Sequence, residues 1–349
     1  MQNRYPWVRI PPPPVMARIA LLAGLLLSFA AMAQGAEGAF YKELNLIGGY
    51  SDNKGLVGKD SHMLKNSVGF EYFRKFSDQY GDYLTLDLQF RLTYDSLENR
   101  HDAWAIELHN AWLEYKLGIG KSLRVGHFEP AFGLEPVVDV HSSLLQTLAS
   151  HTIGYTRDWG IGYKGLLGDF DFQFAAQIGS GMPLARTDGS YLLTTRIATP
   201  LKDETQLGLS LACGRTLNFE QDHTIPTPDL MDDKSTDKKL IGLDYRTPIG
   251  PFGFKGEIAT GDKDGTTVGG GLAELSYTLP DNQNVTLKLQ GSYWADNWGY
   301  SDKTDATIAP VITYKINNEW SMSAGYFHDL DAMEKKDRLI VLQLYYYGK

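Results

Sequence analysis

Tyr83 to Tyr94 reads YLTLDLQFRLTY. Leu84, Leu86, Leu88, Phe90, Leu92 and Tyr94 fall on one face, and Thr85, Asp87, Gln89, Arg91 and Thr93 fall on the other. A two-residue period held over a dozen positions describes a β-strand with one apolar and one polar face. The alternation recurs in Phe170-Phe172-Phe174 against Asp171-Gln173, and in Ile241-Leu243-Tyr245 against Asp244-Arg246. It returns in Val285-Leu287-Leu289 against Thr286-Lys288-Gln290, and in Ile340-Leu342-Leu344-Tyr346. Alternation alone does not say whether the apolar face meets lipid or a soluble core.

Strand count and connection length decide between them. Sixteen segments carry the pattern, at roughly 40–51, 67–76, 82–94, 104–117, 121–128, 158–165, 169–179, 191–199, 205–215, 238–247, 251–260, 267–279, 283–295, 304–315, 319–328 and 338–347. Their connections alternate. SDQYG, GIGK, LLGD, PLKDE, TPIGP, PDNQ and INN are short, whereas 52–66, 95–103, 129–157, 180–190, 216–237, 261–266, 296–303 and 329–337 are longer, with only 261–266 near the short class. An even strand number with short turns at one end and long loops at the other is the pattern of an outer-membrane barrel. Greek-key links in a sandwich would not segregate this way. Tyr50, Tyr72, Tyr94, Trp104, Trp112, Tyr163, Tyr245, Tyr277, Tyr293, Trp320, Tyr326 and Tyr346 lie near strand ends, where interfacial girdles belong. The expected fold is all-β, a closed 16-stranded antiparallel transmembrane barrel spanning 34–349.

The N-terminus sets the compartment. Met16-Ala17-Arg18 precedes an apolar run, Ile19 to Ala33, that closes on Ala31-Met32-Ala33. A positive start, a short apolar core and an A-x-A site read as a secretory signal, so 1–33 is expected to be removed. Residues 1–15, with four consecutive prolines, fit no part of such a signal, and Met16 is the expected first residue. Removal takes away Arg4, Arg9 and Arg18 and no acid, leaving 30 basic against 42 acidic residues, a net −12. That balance excludes a general affinity for nucleic acid. Mean hydropathy is −0.28, as a barrel with apolar residues only at alternate positions allows. The single Cys213 excludes an internal disulfide.

One stretch breaks the strand pattern. VGHFEPAFGLEP, Val125 to Pro136, begins as a strand and then meets Pro130, Gly133 and Pro136. Proline donates nothing to a ladder, so the chain must leave the wall here. Counted from a periplasmic N-terminus, 129–157 is the third external loop and the longest. An inward fold would make it a constriction loop, with Ser142 to Ala149 as a short helix and its leucines against the inner wall.

Arg124-Val125-Gly126-His127-Phe128 followed by Pro130-Ala131-Phe132-Gly133-Leu134-Glu135 resembles the R-x-G-x-F…P-F-G-L-E stretch of the phosphate-selective porins of the O and P type. Arg157-Asp158-Trp159-Gly160 is consistent with that resemblance. It implies a 16-stranded barrel, a homotrimer, an inward third loop and passage of anions such as phosphate. In that family the specificity is attributed to basic residues in the constricting loop. Here 129–156 holds no Lys or Arg and carries Glu129, Glu135 and Asp139. The chain ends Tyr345-Tyr346-Tyr347-Gly348-Lys349, two residues beyond an aromatic end.

The polar strand faces supply the candidate pore lining: Arg91, Arg124, Lys164, Arg196, Arg246, Lys255 and Lys288, against Asp87, Glu107, Asp171, Asp244, Glu257 and Glu274, with His109 titratable. Arg91, Arg124 and Arg196 either line up as an anion track or pair across strands. No catalytic set and no cofactor is expected. Gly160-Ile161-Gly162-Tyr163-Lys164-Gly165 matches G-x-G-x-x-G but has no helix after it. There is no G-x-S-x-G, H-E-x-x-H or P-loop. Asp229, Asp232, Asp233 and Asp237 read as a solvated acidic loop before a divalent-cation site. The partners implied are outer-membrane lipid and small hydrophilic solutes or ions. Two other readings stay open: a sheath threaded by a protein such as a multihaem cytochrome, and a secreted all-β carbohydrate-binding protein.

Overall fold

A computed structural model describes residues 38–52, 55–57, 65–95, 103–139, 142–200, 204–220, 222–232, 234–298, 304–330 and 338–349. The signal segment 1–33 lies outside the described residues. The strands are β1 (Gly38–Ser51), β2 (Gly55–Val57), β3 (Asn66–Asp78), β4 (Gly81–Tyr94), β5 (Trp104–Gly118), β6 (Lys121–Phe128), β7 (Asp158–Leu167), β8 (Phe170–Gln177) and β9 (Tyr191–Ala198). They continue with β10 (Gln206–Thr216), β11 (Thr236–Ile249), β12 (Phe252–Lys263), β13 (Thr266–Thr278), β14 (Val285–Ala295), β15 (Thr304–Lys315), β16 (Trp320–Asp329) and β17 (Arg338–Gly348).

Every neighbouring pair is antiparallel, and the sheet closes on itself. β1 pairs with β3 through Gly38↔Arg74 to Asn45↔Ser67, and with β17 through Lys42↔Gly348 to Ser51↔Leu339. β2 is a three-residue stub on the outer end of β1. The wall is therefore sixteen strands, β1 and β3–β17, each within a few residues of its expected position. β17 pairs with β1 through Gly348. The connection at 261–266, expected among the long loops, shrinks to Asp264-Gly265. Both residues have positive φ, 51° and 77°, as a two-residue hairpin turn demands.

Polarity is inverted relative to a soluble protein. Leu46, Val68, Leu113, Val125, Leu209, Ile241, Leu289, Ile312 and Leu342 point out and are exposed, while Thr85, Asp87, Gln89, Arg91 and Thr93 point in and are buried. A soluble chain could not leave so continuous an apolar belt in water. In the hydrocarbon region only a closed barrel satisfies the backbone of a sheet. The chain is a bacterial outer-membrane barrel, and the soluble carbohydrate-binding reading is set aside.

Two irregularities matter for the lumen. The β4–β5 register shifts after Gln89↔Asn110, so His109 is the extra residue of a bulge. Beyond it the inward face of β5 changes parity. Trp112, expected in an interfacial girdle, instead turns into the lumen, where the Arg124 guanidinium lies 4.0 Å from its ring centroid. The second irregularity is a slot. β6 ends at Phe128, and its pairing with β5 stops at Ala111↔His127, leaving the outer half of β5 without that neighbour. Residues of the fifth long loop take its place. Ile106 N–H donates to Ile225 O at 2.8 Å, Thr224 N–H donates to Ile106 O at 2.8 Å, and Leu108 N–H donates to Thr224 Oγ1 at 2.9 Å.

Candidate functional site

β6 stops because Pro130 has no amide to offer, and the chain turns into the lumen. Its first residues are bound by the far wall: Ala131 N–H donates to Thr194 Oγ1 at 2.9 Å, and Gly133 N–H donates to Ser210 Oγ at 3.0 Å. Leu134 N–H donates to Glu257 Oε2 at 3.3 Å. Gly133 holds φ +60°, and an added Cβ would collide with the Glu257 carboxylate, so this turn requires glycine.

The apolar residues of the segment then find inward-facing apolar wall positions. Phe132, Ile153 and Tyr155 pack with Leu192, Ala212, Leu240 and Ala259. Leu144 and Leu145 pack with Ile47, Val311, Phe327 and Val341. Leu134 and Leu148 meet Leu272. The expected helix at Ser142 to Ala149 does not form. Consecutive Leu144 and Leu145 are both buried against one wall patch, and the Ser143 hydroxyl closes a local turn by bonding both N–H and O of Leu145. The segment holds only a 3-10 turn at Glu135–Val137 and a helical turn at Ala149–Thr152.

An irregular segment inside a barrel needs partners for its carbonyls. Wall side chains supply them. Arg246 Nη1 donates to Val137 O at 2.8 Å, Lys238 Nζ to Ile153 O at 2.6 Å, and Gln290 Nε2 to Gln146 O at 3.0 Å. The return to the wall is fastened by Asp158, whose carboxylate accepts from the N–H of Trp159, Gly179, Ser180 and Gly181 and from the Tyr155 hydroxyl.

The segment separates two cavities. One, of about 820 Å³, lies toward the short turns, since Asn317, Asn318 and Glu319 of the β15–β16 turn line it with Glu135, Pro136 and Asp139. The other, of about 250 Å³, lies toward the long loops, lined by His151, Gly154 and Tyr155 with Asn218, Asp222 and Asp296. The larger cavity collects Glu71, Asp87, Glu129, Glu135, Asp139 and Glu319 against Arg124, Arg157, Lys164 and Lys315.

Of the residues expected to line the pore, Asp87, Arg124, Lys164, Glu129, Glu135 and Asp139 meet in this larger cavity. The others go elsewhere. Arg91 makes a bidentate pair with Glu43, at 2.7 and 3.0 Å, and Arg196 makes one with Asp244, at 2.5 and 2.9 Å; both guanidinium groups are buried. Glu107 pairs with Lys65 at 3.2 Å and Lys255 with Glu274 at 2.9 Å. Arg246 holds the loop, and Lys288 stands on the inward face opposite Val311. His109 sits in the bulge, its carbonyl against His127 Nδ1 at 3.1 Å, and lines neither cavity. Arg124 is taken by Glu114 at 2.8 Å and Glu129 at 3.3 Å. The three arginines pair across strands and do not form a free track.

Electrostatics divide the two loop glutamates. Burial would raise Glu129, but Arg157, Arg124 and Lys164 outweigh it and hold the carboxyl down at about 2. Burial raises Glu135 to about 7, with Glu129 and Asp139 adding to the rise against Arg157 and the Thr147 hydroxyl. In the fifth loop Asp237 pairs with Arg215 at 2.8 Å, and among the described residues no three metal-ligating side chains converge.

Glu43, Asn110, Arg157, Lys238 and Glu257 organise this site, and of these only Glu257 is among the lining residues expected from strand alternation. Glu43 was within reach of that reading, because alternation in β1 places it with Asn45 and Ile47 on the inward face. Asn110 was hidden by the bulge.

Neither a comparison with protein families nor one with curated proteins finds a match. Solved structures do match in fold. An OmpF of Salmonella typhi, in complex with daunomycin, superimposes with a TM-score of 0.63 at 12% identity, over 90% of this chain and 98% of that one. An anion-selective porin from Comamonas acidovorans gives 0.62 at 11% identity, over 89% and 100%. OprB of Pseudomonas putida gives 0.58 at 9% identity, over 92% and 96%. The chain has the architecture of the outer-membrane porins.

Proposed function

We propose that this barrel is a passive diffusion channel for small hydrophilic solutes and ions, with 129–157 as its constriction loop. The observation that carries the reading is the loop itself, anchored on the opposite wall and dividing a polar lumen into two charged cavities. A threaded partner protein would have to share the lumen with that loop, which disfavours the sheath. The same reading takes the chain as exported by loss of residues up to Ala33 and assembled as a homotrimer, as the resemblance to the phosphate-selective porins implies.

Anion passage, phosphate included, would rest on Arg124, Arg157 and Lys164. The geometry favours the opposite sign, because Glu129 faces both arginines and the larger cavity holds six acids against four bases. Local field, not net charge, sets preference in a confined pore. We therefore assign a weak preference for cations. Single-channel recording in planar bilayers under a salt gradient tests both parts. Stepwise ohmic conductance with a small cationic reversal potential is expected. Absence of conductance steps sinks the channel, and an anionic reversal potential sinks the sign.

A further inference from the structure

Asp87 on β4 and Arg157, the residue before β7, face the same cavity and are only 5% and 4% exposed. Asn110 stands between them. Its Nδ2 donates to Asp87 Oδ2 at 3.3 Å and its Oδ1 accepts from Arg157 Nε at 2.9 Å. Arg157 Nη2 donates to Glu129 at 3.3 Å. These bonds consume one oxygen of the aspartate and two nitrogens of the arginine. Asp87 Oδ1 and Arg157 Nη1 are left buried with no partner in the protein. A buried acceptor and a buried donor left over in one cavity call for a partner from the cavity.

The leftover pair has a sign pattern. On the Asp87 side, Glu71 extends from the adjacent strand into the same cavity, and its own hydroxyl donor, Tyr347, is neutral. On the Arg157 side stand Arg124 and Lys164, three cations against the shared Glu129 and, on Arg124, Glu114. A simple cation meets the first half alone and a simple anion the second half alone. A neutral hydroxyl compound bonds to both but brings no charge to either. A compact molecule with an ammonium and a carboxylate a few bonds apart satisfies both atoms and both signs. We propose that Asp87, Asn110 and Arg157 form a subsite for small zwitterions, α-amino acids above all, in the larger cavity. This rests on the diffusion-channel reading and names a solute class for it.

The test uses the whole barrel in proteoliposomes and three solutes of similar size: glycine as zwitterion, glycinamide as cation and glycolate as anion. Glycine uptake is expected to saturate with concentration, while the two singly charged analogues enter in proportion to concentration. Asp87→Asn and Arg157→Gln should each raise the half-saturating glycine concentration at least tenfold, with folding checked by heat-modifiable gel mobility. If either variant fails to fold, the wild-type solute series still decides. Proportional uptake of all three solutes overturns the subsite and leaves the channel standing. Uptake of none of them overturns the channel reading itself.

Discussion

Phe132 lies against the bare backbone of Gly242: a Cβ built on that glycine would stand 2.9 Å from the ring's Cζ. The phenylalanine belongs to the run that leaves the wall after β6, and the glycine faces inward from β11 across the lumen. The ring takes the space of the missing side chain and is one of the contacts that set how deep the loop sits. Phe132→Ala is expected to cost about 3–5 kcal/mol of packing while leaving the wall closed. Single-channel traces should then show higher conductance and more open-channel noise. Wild-type conductance and noise in this variant would mean that the loop is held by other contacts.

Arg91 and Glu43 make a buried pair that also takes in Gln89 and the Tyr345 hydroxyl. Removing one member strands the other charge, a loss of about 3–5 kcal/mol. Arg91→Leu should therefore lower the barrel's unfolding midpoint in guanidinium and leave the reversal potential where it was. A large shift in reversal potential with unchanged stability would restore Arg91 as a lining charge.

Leu289 and Lys288 are neighbours on β14 with opposite fates. Leu289 is exposed on the outer face, and Lys288 stands inward opposite Val311. An arginine on the lipid face near mid-membrane costs about 2–4 kcal/mol. Leu289→Arg should impair assembly in outer membranes, whereas Lys288→Gln should assemble as wild type. Equal yields of the heat-modifiable form from both variants would contradict the face assignment.

The sixteen strands were legible because lipid outside and water inside impose a period of two on every one of them. Parity failed where the backbone departs from that period. The bulge at His109 carried Trp112 inward and brought Asn110 to the cavity, and a bulge leaves little trace in composition. That the chain leaves the wall at Pro130 could also be read directly. Its landing place could not, since Phe132 on Gly242 and Arg246 on Val137 join positions roughly a hundred residues apart. The arginines could be counted but not paired. Arg91 finds Glu43 from two strands away, and only the closed register of β1, β3 and β4 brings them together.

Glu135 provides a pH dependence. Buried within the loop, its carboxyl is pushed up from its ordinary 4.5 to about 7, while Glu129, held down at about 2, stays charged throughout this range. At pH 8 Glu135 is ionised and adds to the acidic lining. At pH 5.5 it is neutral, so the cation preference should fall as pH drops through about 7. Reversal potentials measured across that range should show a step near pH 7 in wild type that Glu135→Gln lacks. Persistence of the step in the variant would assign it to another group.

Beside the outer half of β5 the wall has a slot, where pairing with β6 stops at Ala111↔His127. Thr224 contributes both its N–H and its hydroxyl to the ladder that seals it, accepting from Leu108 and donating to Ile106. An unpaired strand edge in a barrel wall leaves backbone groups to water or lipid, so the fifth loop completes the barrel at this point. Thr224→Pro removes the backbone donor and the hydroxyl together. The sixteen-strand register does not depend on this residue, so the variant should assemble and keep its heat-modifiable mobility. The amides of Ile106 and Leu108 should lose protection, and hydrogen exchange read by mass spectrometry on peptides covering 104–110 should accelerate by at least tenfold relative to peptides from β12 and β13. Unchanged exchange there would show that the outer half of β5 is sealed without Thr224, and the loop would then be a cover over the mouth and not a piece of the wall.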